Sequence, residues 1–140
     1  LLYLAARNEH VLNKIKPNLK KKKIIICDRF IDSTLAYQVY GKKVNKKLID
    51  TVHSFILKNV KPDLTFVLRV NINKAMKRIN KRKSKNRYDK FSKKFYTSVQ
   101  NAFIKIAKTN KNKYVVLDNS NDTNDIETII QNKFYSKFLK

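Results

Sequence analysis

Glycine occurs once in these 140 residues, at Gly41, and tryptophan does not occur. A single glycine cannot build a GxxxxGK[ST] phosphate loop, so none lies within this stretch. The one cysteine, Cys27, excludes an intrachain disulfide, which fits a reducing compartment. Cys27 closes an apolar run and reads as a small packing residue rather than a nucleophile. No apolar run approaches the roughly 18 residues that span a bilayer. No stretch within these residues has the basic start and apolar middle of a signal peptide. Acidic residues are scarce, 10 against 33 lysines and arginines, for a formal net charge of +23. The chain opens on LLYLAAR, without Met, and is expected to be the interior of a longer one.

What is present suits one folded domain. Hydrophobic residues make up 42%, too many for a disordered chain, and the length allows a core. The positive charge points to an anionic partner: nucleic acid, a phosphorylated metabolite or an acidic membrane. The abundance of Lys and Asn is equally open to a coding bias, with much of the lysine as solvated surface.

Apolar periodicity divides the chain into alternating elements. Residues 1–16 read as a helix with Leu1, Leu4, Ala5, Val11, Leu12 and Ile15 on one stripe, ended by Pro17. Ile24–Cys27 is a continuous apolar run, as in a strand covered on both faces. Residues 45–58 form a helix with Leu48, Ile49, Val52, Phe55 and Ile56 inward. Pro62–Asp63 turns the chain into a strand at 64–70. Asn73 is placed to cap the helix holding Ala75, Met76 and Ile79. Residues 91–108 give the clearest helix, 114–117 a third strand, and a last helix starts near Asn124 with Glu127 in capping-box spacing. Three apolar strands among helices predict an α/β fold with a parallel sheet in a single domain over residues 1–140.

Chemistry concentrates in IIICDRFIDSTLAYQ, residues 24–38. In open parallel sheets ligands bind beyond the carboxyl ends of strands, where Asp28 and Arg29 would stand. Arginine offers a rigid fork of donors matched to phosphate oxygens. A neighbouring carboxylate can hold Mg²⁺, directly or through water. An ordinary ion pair or helix cap fits the same two residues. Ser33 follows, and Thr34, Tyr37 and Gln38 share a face near Arg29 if residues 32–38 are helical, as they would on an ordinary polar helix surface. Tyr3 and Arg7 lie one turn apart, so an aromatic plate and a guanidinium face the same way; that pair can stack a base and read its edge, and a surface tyrosine beside a surface arginine fits the same spacing. Between 71 and 94, eleven lysines and arginines, among them Arg78, Arg82 and Arg87, stand against Asp89 alone. Such a segment serves as a lid over a polyphosphate or as solvated surface.

At this point the sequence resembles a known family. LLYLAAR, CDRFIDSTLAYQ, KPDLTFVLRV, the NRYD segment and LDNS occur in the order found in bacterial thymidylate kinases. The resemblance implies a P-loop nucleotide kinase fold, transfer of the ATP γ-phosphoryl to dTMP with Mg²⁺, a cytoplasmic location and a homodimer. Carried over by motif, Tyr3 resembles the ring that stacks on thymine and Arg7 the reader of its edge. Arg29 corresponds to the clamp on the dTMP phosphate, and Asp28 to its acidic neighbour near metal and phosphates. Ser33, Thr34, Tyr37 and Gln38 fall along the nucleotide. Arg78, Arg82 and Arg87 fall in a lid at about 77–90, and Asn119 and Ser120 in a loop bordering adenine.

The sequence departs from the family pattern at Asn86, which replaces an acid, at Asp89, which replaces a longer glutamate, and at Arg69, which stands where Asp is frequent. The glycine-containing loop is altered to QVYGKK. The phosphate loop is expected ahead of residue 1, which would leave the 140 residues inactive alone. Another P-loop deoxynucleoside kinase is the nearer alternative, disfavoured by Tyr3–Arg7 with STLAYQ. A basic nucleic-acid-binding module is disfavoured because the aromatics mostly occupy helix-core positions.

Overall fold

A computed structural model of the chain describes residues 2–84, 88–121 and 125–139. They fall into two compact units, Leu1–Asp63 and Leu64–Lys140.

The first unit is helical. Helix α1 (Leu2–His10) runs through a π-helical stretch, Val11–Ile15, into α2 (Lys16–Lys20). The helix therefore passes Pro17 instead of stopping there. Pro17 has no N–H to donate to the preceding turn; the turn ahead of it is the π-helical stretch, and the chain continues from there into α2. The helix closes with a Schellman-type pair, Lys22 N–H to the Leu19 carbonyl (2.9 Å) and Lys23 N–H to the Asn18 carbonyl (3.0 Å). This puts Lys22 at φ 54°, a left-handed position that glycine usually takes.

Ile24–Cys27 does not form a strand; among the described residues it pairs with no neighbour. Apolarity suits a segment to a sheet, but the ladder needs a partner backbone. Ile24 and Ile26 are 61% and 92% exposed, while Ile25 packs with Phe30, Ile31 and Val60 against buried Val11, Ile15 and Leu57.

Helix α3 (Ile31–Thr34) continues as a second π-helical stretch, Leu35–Gly41. Helix α4 (Lys46–Leu57) starts at Asn45, whose side chain accepts the Leu48 N–H at 3.3 Å. Its inward face differs from the expected one. Leu48 and Phe55 are exposed; Ile49, His53, Ile56 and Leu57 are buried. The apolar stripe of this helix is wide, and Leu4 of α1 meets its Ile49–Ile56 side, with Leu35, Val39, Val44 and Val52 filling in. That rotation carries a histidine into the interior.

The second unit holds the parallel sheet. Strands β1 (Thr65–Arg69) and β2 (Tyr114–Asp118) pair in parallel, from Thr65 opposite Tyr114 to Arg69 opposite Asp118. They are joined through α5 (Ile72–Asn80) and α6 (Lys93–Lys108), and α7 (Asp125–Phe138) follows β2. The expected α/β class with a parallel sheet and flanking helices holds, with two strands formed among the described residues rather than three. Asn71, not Asn73, caps α5: its Oδ1 accepts the N–H groups of Asn73 (3.0 Å) and Lys74 (3.3 Å). Ser92 caps α6 through the Phe95 N–H. Val99, Ala102 and Ala107 form the buried side of α6, and its Gln100 Oε1 accepts the Val70 N–H at 2.9 Å where β1 ends. The expected cap Asn124 lies outside the described residues.

Candidate active site

The motif of residues 27–38 folds as a tight turn entering a helix. Arg29 stands at φ 66°. For a residue with a Cβ this conformation is costly and is held by its surroundings. Two bonds bracket it: the Cys27 thiol donates to the Arg29 carbonyl at 3.8 Å, and the Ser33 N–H donates to the Phe30 carbonyl at 3.2 Å. The Arg29 guanidinium lies 4.7 Å from the centre of the Tyr37 ring. A cation over that face is attracted by the ring quadrupole, and the ring restricts where the fork can point. Asp28 is exposed beside it.

Arg7 comes from α1 to the same helix. Its Nη2 donates to Thr34 Oγ1 at 3.5 Å, the long limit of a hydrogen bond, and its Cζ lies 5.0 Å from the centre of the Phe30 ring. Burial lowers the pKa of Arg7, opposed by the Cys27 and Asp32 charges. Burial raises the Cys27 thiol pKa, as does Asp28, against the pull of Arg7. Cys27 is thus mainly a neutral thiol near neutral pH, consistent with a packing role. Tyr3, one turn before Arg7, is half-exposed, and Gln38 is half-buried. The structure thus brings Arg7, Thr34, Arg29 and Tyr37 around the start of one helix. Phe30, Asp32 and His53 belong to this neighbourhood and were not singled out by sequence. A buried Asp32 inside IDST had one signal, its place two residues before Thr34, whereas nothing marked His53.

The π-helical backbone of Leu35–Gly41 changes the spacing that sequence reasoning assumed. Its closing bond runs five residues, from Lys42 N–H to the Tyr37 carbonyl at 3.0 Å, and the Val44 N–H donates to the Gln38 carbonyl at 2.9 Å. Single π turns are often found at functional positions.

In the second unit, the loop after β2 is tied down by polar contacts at the carboxyl ends of both strands. Asp118 forms an ion pair with Arg69 at 2.9 Å and accepts from Ser120 N–H (2.9 Å) and the Ser120 hydroxyl. Those two Ser120 bonds, then Arg69, hold the Asp118 carboxyl below its usual range. The Ser120 hydroxyl oxygen also accepts the Asn71 N–H at 2.9 Å. Lys74 Nζ donates to the Ser120 carbonyl (3.1 Å) and to Asn121 Oδ1 (3.0 Å), and Asn119 N–H donates to the Arg69 carbonyl (2.8 Å). Arg69, which had no account from sequence, is the cross-strand partner of Asp118.

The basic segment contains a further pair. Arg82 and Asp89 meet at 3.1 Å, with the Asp89 side chain 4% exposed and that of Arg82 56%. Arg78 is exposed on α5, and Arg87 lies outside the described residues. A shallow concavity of ≈ 430 Å³ opens at the amino ends of the strands, lined by Leu64, Asn112, Lys133 and Lys137 among others; it is away from the Asp118 loop. No group of three His, Cys, Asp or Glu side chains able to hold a metal occurs among the described residues.

Known proteins resemble the chain in sequence and in fold. The family model for thymidylate kinase matches residues 1–130. The thymidylate kinase of Ehrlichia chaffeensis is 42% identical over 129 residues, which make up 92% of this chain and 61% of the relative. That of Ehrlichia canis is 36% identical over 140 residues, all of this chain and 66% of the relative. The chain therefore spans less than two thirds of the length of either. The crystal structure of the Ehrlichia chaffeensis thymidylate kinase superposes with a TM-score of 0.63 at 38% identity, covering 81% of this chain and 53% of that one. On sequence and on fold alike, the chain belongs to the thymidylate kinase family.

Proposed function

We propose that the complete protein carrying this chain transfers the γ-phosphoryl group of ATP to dTMP, giving dTDP and ADP, with residues 1–140 acting as part of one catalytic domain in a cytoplasmic homodimer. The carrying observation is the Arg29 turn: a guanidinium in a left-handed backbone conformation, held against Tyr37 at the start of a helix that also receives Arg7. Such a fork, fixed before ligand arrives, loses little freedom on gripping a phosphate.

Arg29 clamps the dTMP phosphate. Arg7 donates to the edge of the thymine, Tyr3 stacks on its face, and Thr34 holds Arg7 in place. Ser33 and Gln38 line the nucleotide, and the Tyr37 ring stands beside the deoxyribose, where a ribose hydroxyl would crowd it. A dTMP phosphate oxygen attacks the γ-phosphorus in line; the bond from that phosphorus to the β-bridging oxygen breaks, and ADP departs with the electron pair. The attacking oxygen is unprotonated, so no general base is needed, and catalysis consists of positioning and charge stabilisation. Arg78, Arg82 and Arg87 supply positive charge over the polyphosphate. Asn119 and Ser120 border the adenine, with the Ser120 hydroxyl already engaged in ordering its own loop. Mg²⁺, when bound, neutralises and orients the phosphates; Asp28 would hold it directly or through water.

The test is a coupled ADP-release assay on the complete gene product, with ATP, Mg²⁺ and a panel of dTMP, dUMP, thymidine and deoxycytidine. Turnover that requires a monophosphate acceptor and favours dTMP is expected. A folded protein that phosphorylates only unphosphorylated nucleosides, or nothing, overturns the reading.

A further inference from the structure

Two buried polar atoms in the first unit have no hydrogen-bond partner among the described residues: Arg7 Nε and His53 Nε2. They belong to helices that pack on each other through Leu4, Ile49 and Ile56. His53 is 7% exposed, so its orphaned nitrogen has no bulk water to turn to, and leaving such a group unpaired is costly. The chemistry of the two atoms is complementary. Arg7 Nε carries a hydrogen and can only donate; the imidazole Nε2 accepts when the proton sits on Nδ1. One water can accept from the first and donate to the second, which satisfies both.

We propose that His53 is a positioning residue for Arg7, fixing the plane of its guanidinium through one water shared between Arg7 Nε–H and His53 Nε2. This rests on the reading of Arg7 as the group that recognises the pyrimidine edge. Thr34 engages one terminal nitrogen of the guanidinium and the Phe30 ring centre lies 5.0 Å from its Cζ; neither engages Nε. His53 engages Nε from α4 through the water, as a positioning residue and not a nucleotide contact.

The arrangement requires a neutral imidazole. Protonation turns the acceptor into a donor and places a second positive charge beside Arg7. Burial, then the Arg7 charge, keep His53 below its ordinary pKa, opposed by Asp50 on its own helix. Asp50 is itself paired to Lys46, and the groups facing Arg7 from the turn are Cys27 and Asp32. Base recognition therefore weakens as His53 gains a proton in acid.

Thymidine is the suitable probe, because it bears no group that titrates in the histidine range. Calorimetric binding to the complete protein should weaken at least about fivefold between about pH 8 and about pH 5. His53→Gln keeps an acceptor that cannot titrate, so its affinity at the upper pH should match wild type and stay flat on acidification. His53→Leu should bind weakly at both. Near neutral pH, His53→Leu should raise KM for dTMP with kcat at saturation unchanged. An equal pH slope in wild type and His53→Gln, or wild-type affinity in His53→Leu, overturns the proposal. A measurement on the wild type alone guards against variants that fail to fold. By linkage, saturating thymidine must lower the His53 imidazole pKa followed by NMR; an unmoved His53 titration overturns the proposal. If thymidine and dTMP bind at no pH, the kinase reading fails instead. The pairing is then judged by whether Arg7→Gln raises the His53 pKa, and no rise overturns it.

Discussion

At the proposed site, single residues differ more in what holds them than in what they are. Arg29 and Arg7 are both arginines beside aromatic rings, yet one is fixed by a left-handed backbone and the other by a helix neighbour. Lysine at position 29 would keep the charge and lose the two-pronged fork. Arg29→Lys is therefore expected to lower kcat/KM for dTMP by about 10²-fold, read in the ADP-release assay. Asp118 offers a test by pH. Its carboxyl titrates below the ordinary range because Ser120 and Arg69 favour the charged form. The stabilisation is present above the ordinary carboxylate pKa and is lost as pH falls through the lowered folded value. Urea unfolding of Asp118→Asn should accordingly lose less stability on acidification than wild type does. At the Arg29 turn the sequence showed which residue types stand together, but spacing alone left ordinary ion-pair and polar-surface uses open, and the π-helical backbone of Leu35–Gly41 altered the spacing itself. His53 was not legible: a lone histidine on a helix shows its burial only once the helix rotation is known.

Elements were legible where one surface decides them. The α6 helix and both strands follow from periodicity, since each buries a face against a neighbour within reach. Three features escaped, each for a physical reason. The run Ile24–Cys27 has strand composition, but pairing depends on a second backbone and not on its own residues. The π-helical stretches at Val11–Ile15 and Leu35–Gly41 have no side-chain signature, because any residue that suits a helix suits them. The cap of α5 was displaced by two residues, since Asn71 and Asn73 are chemically equivalent and only the end of β1 distinguishes them. That cap can be weighed. Asn71→Ala removes the acceptor for two N–H groups and should cost about 1 kcal/mol in chemical denaturation. The Asn71 N–H to Ser120 bond involves only backbone on the Asn71 side and survives the change.

Across the whole molecule, the α/β class and its parallel pairing followed from the alternation of apolar runs and helices, while the rotation of α4 did not. Among the described residues no helix is long and apolar enough to cross a membrane. The scarcity of glycine leaves its mark on the backbone. Lys22, Lys43 and Lys58 take positive φ values of 54°, 62° and 44°, and Asn59 and Arg29 take 73° and 66°. Four of these five mark helix ends and turns, where their side chains are not needed for the proposed chemistry. Lys22, Lys43 and Lys58 are therefore sites where a smaller residue would relax the chain. Exchange of each for glycine should add roughly 0.5 kcal/mol, the relief of the left-handed conformation outweighing the freedom glycine adds to the unfolded state. The triple variant should melt at a higher temperature than the parent with activity intact. For protein engineering this is a ready route to a hardier protein: thermostability is recoverable at three surface turns, without altering the buried residues or the Arg29 turn.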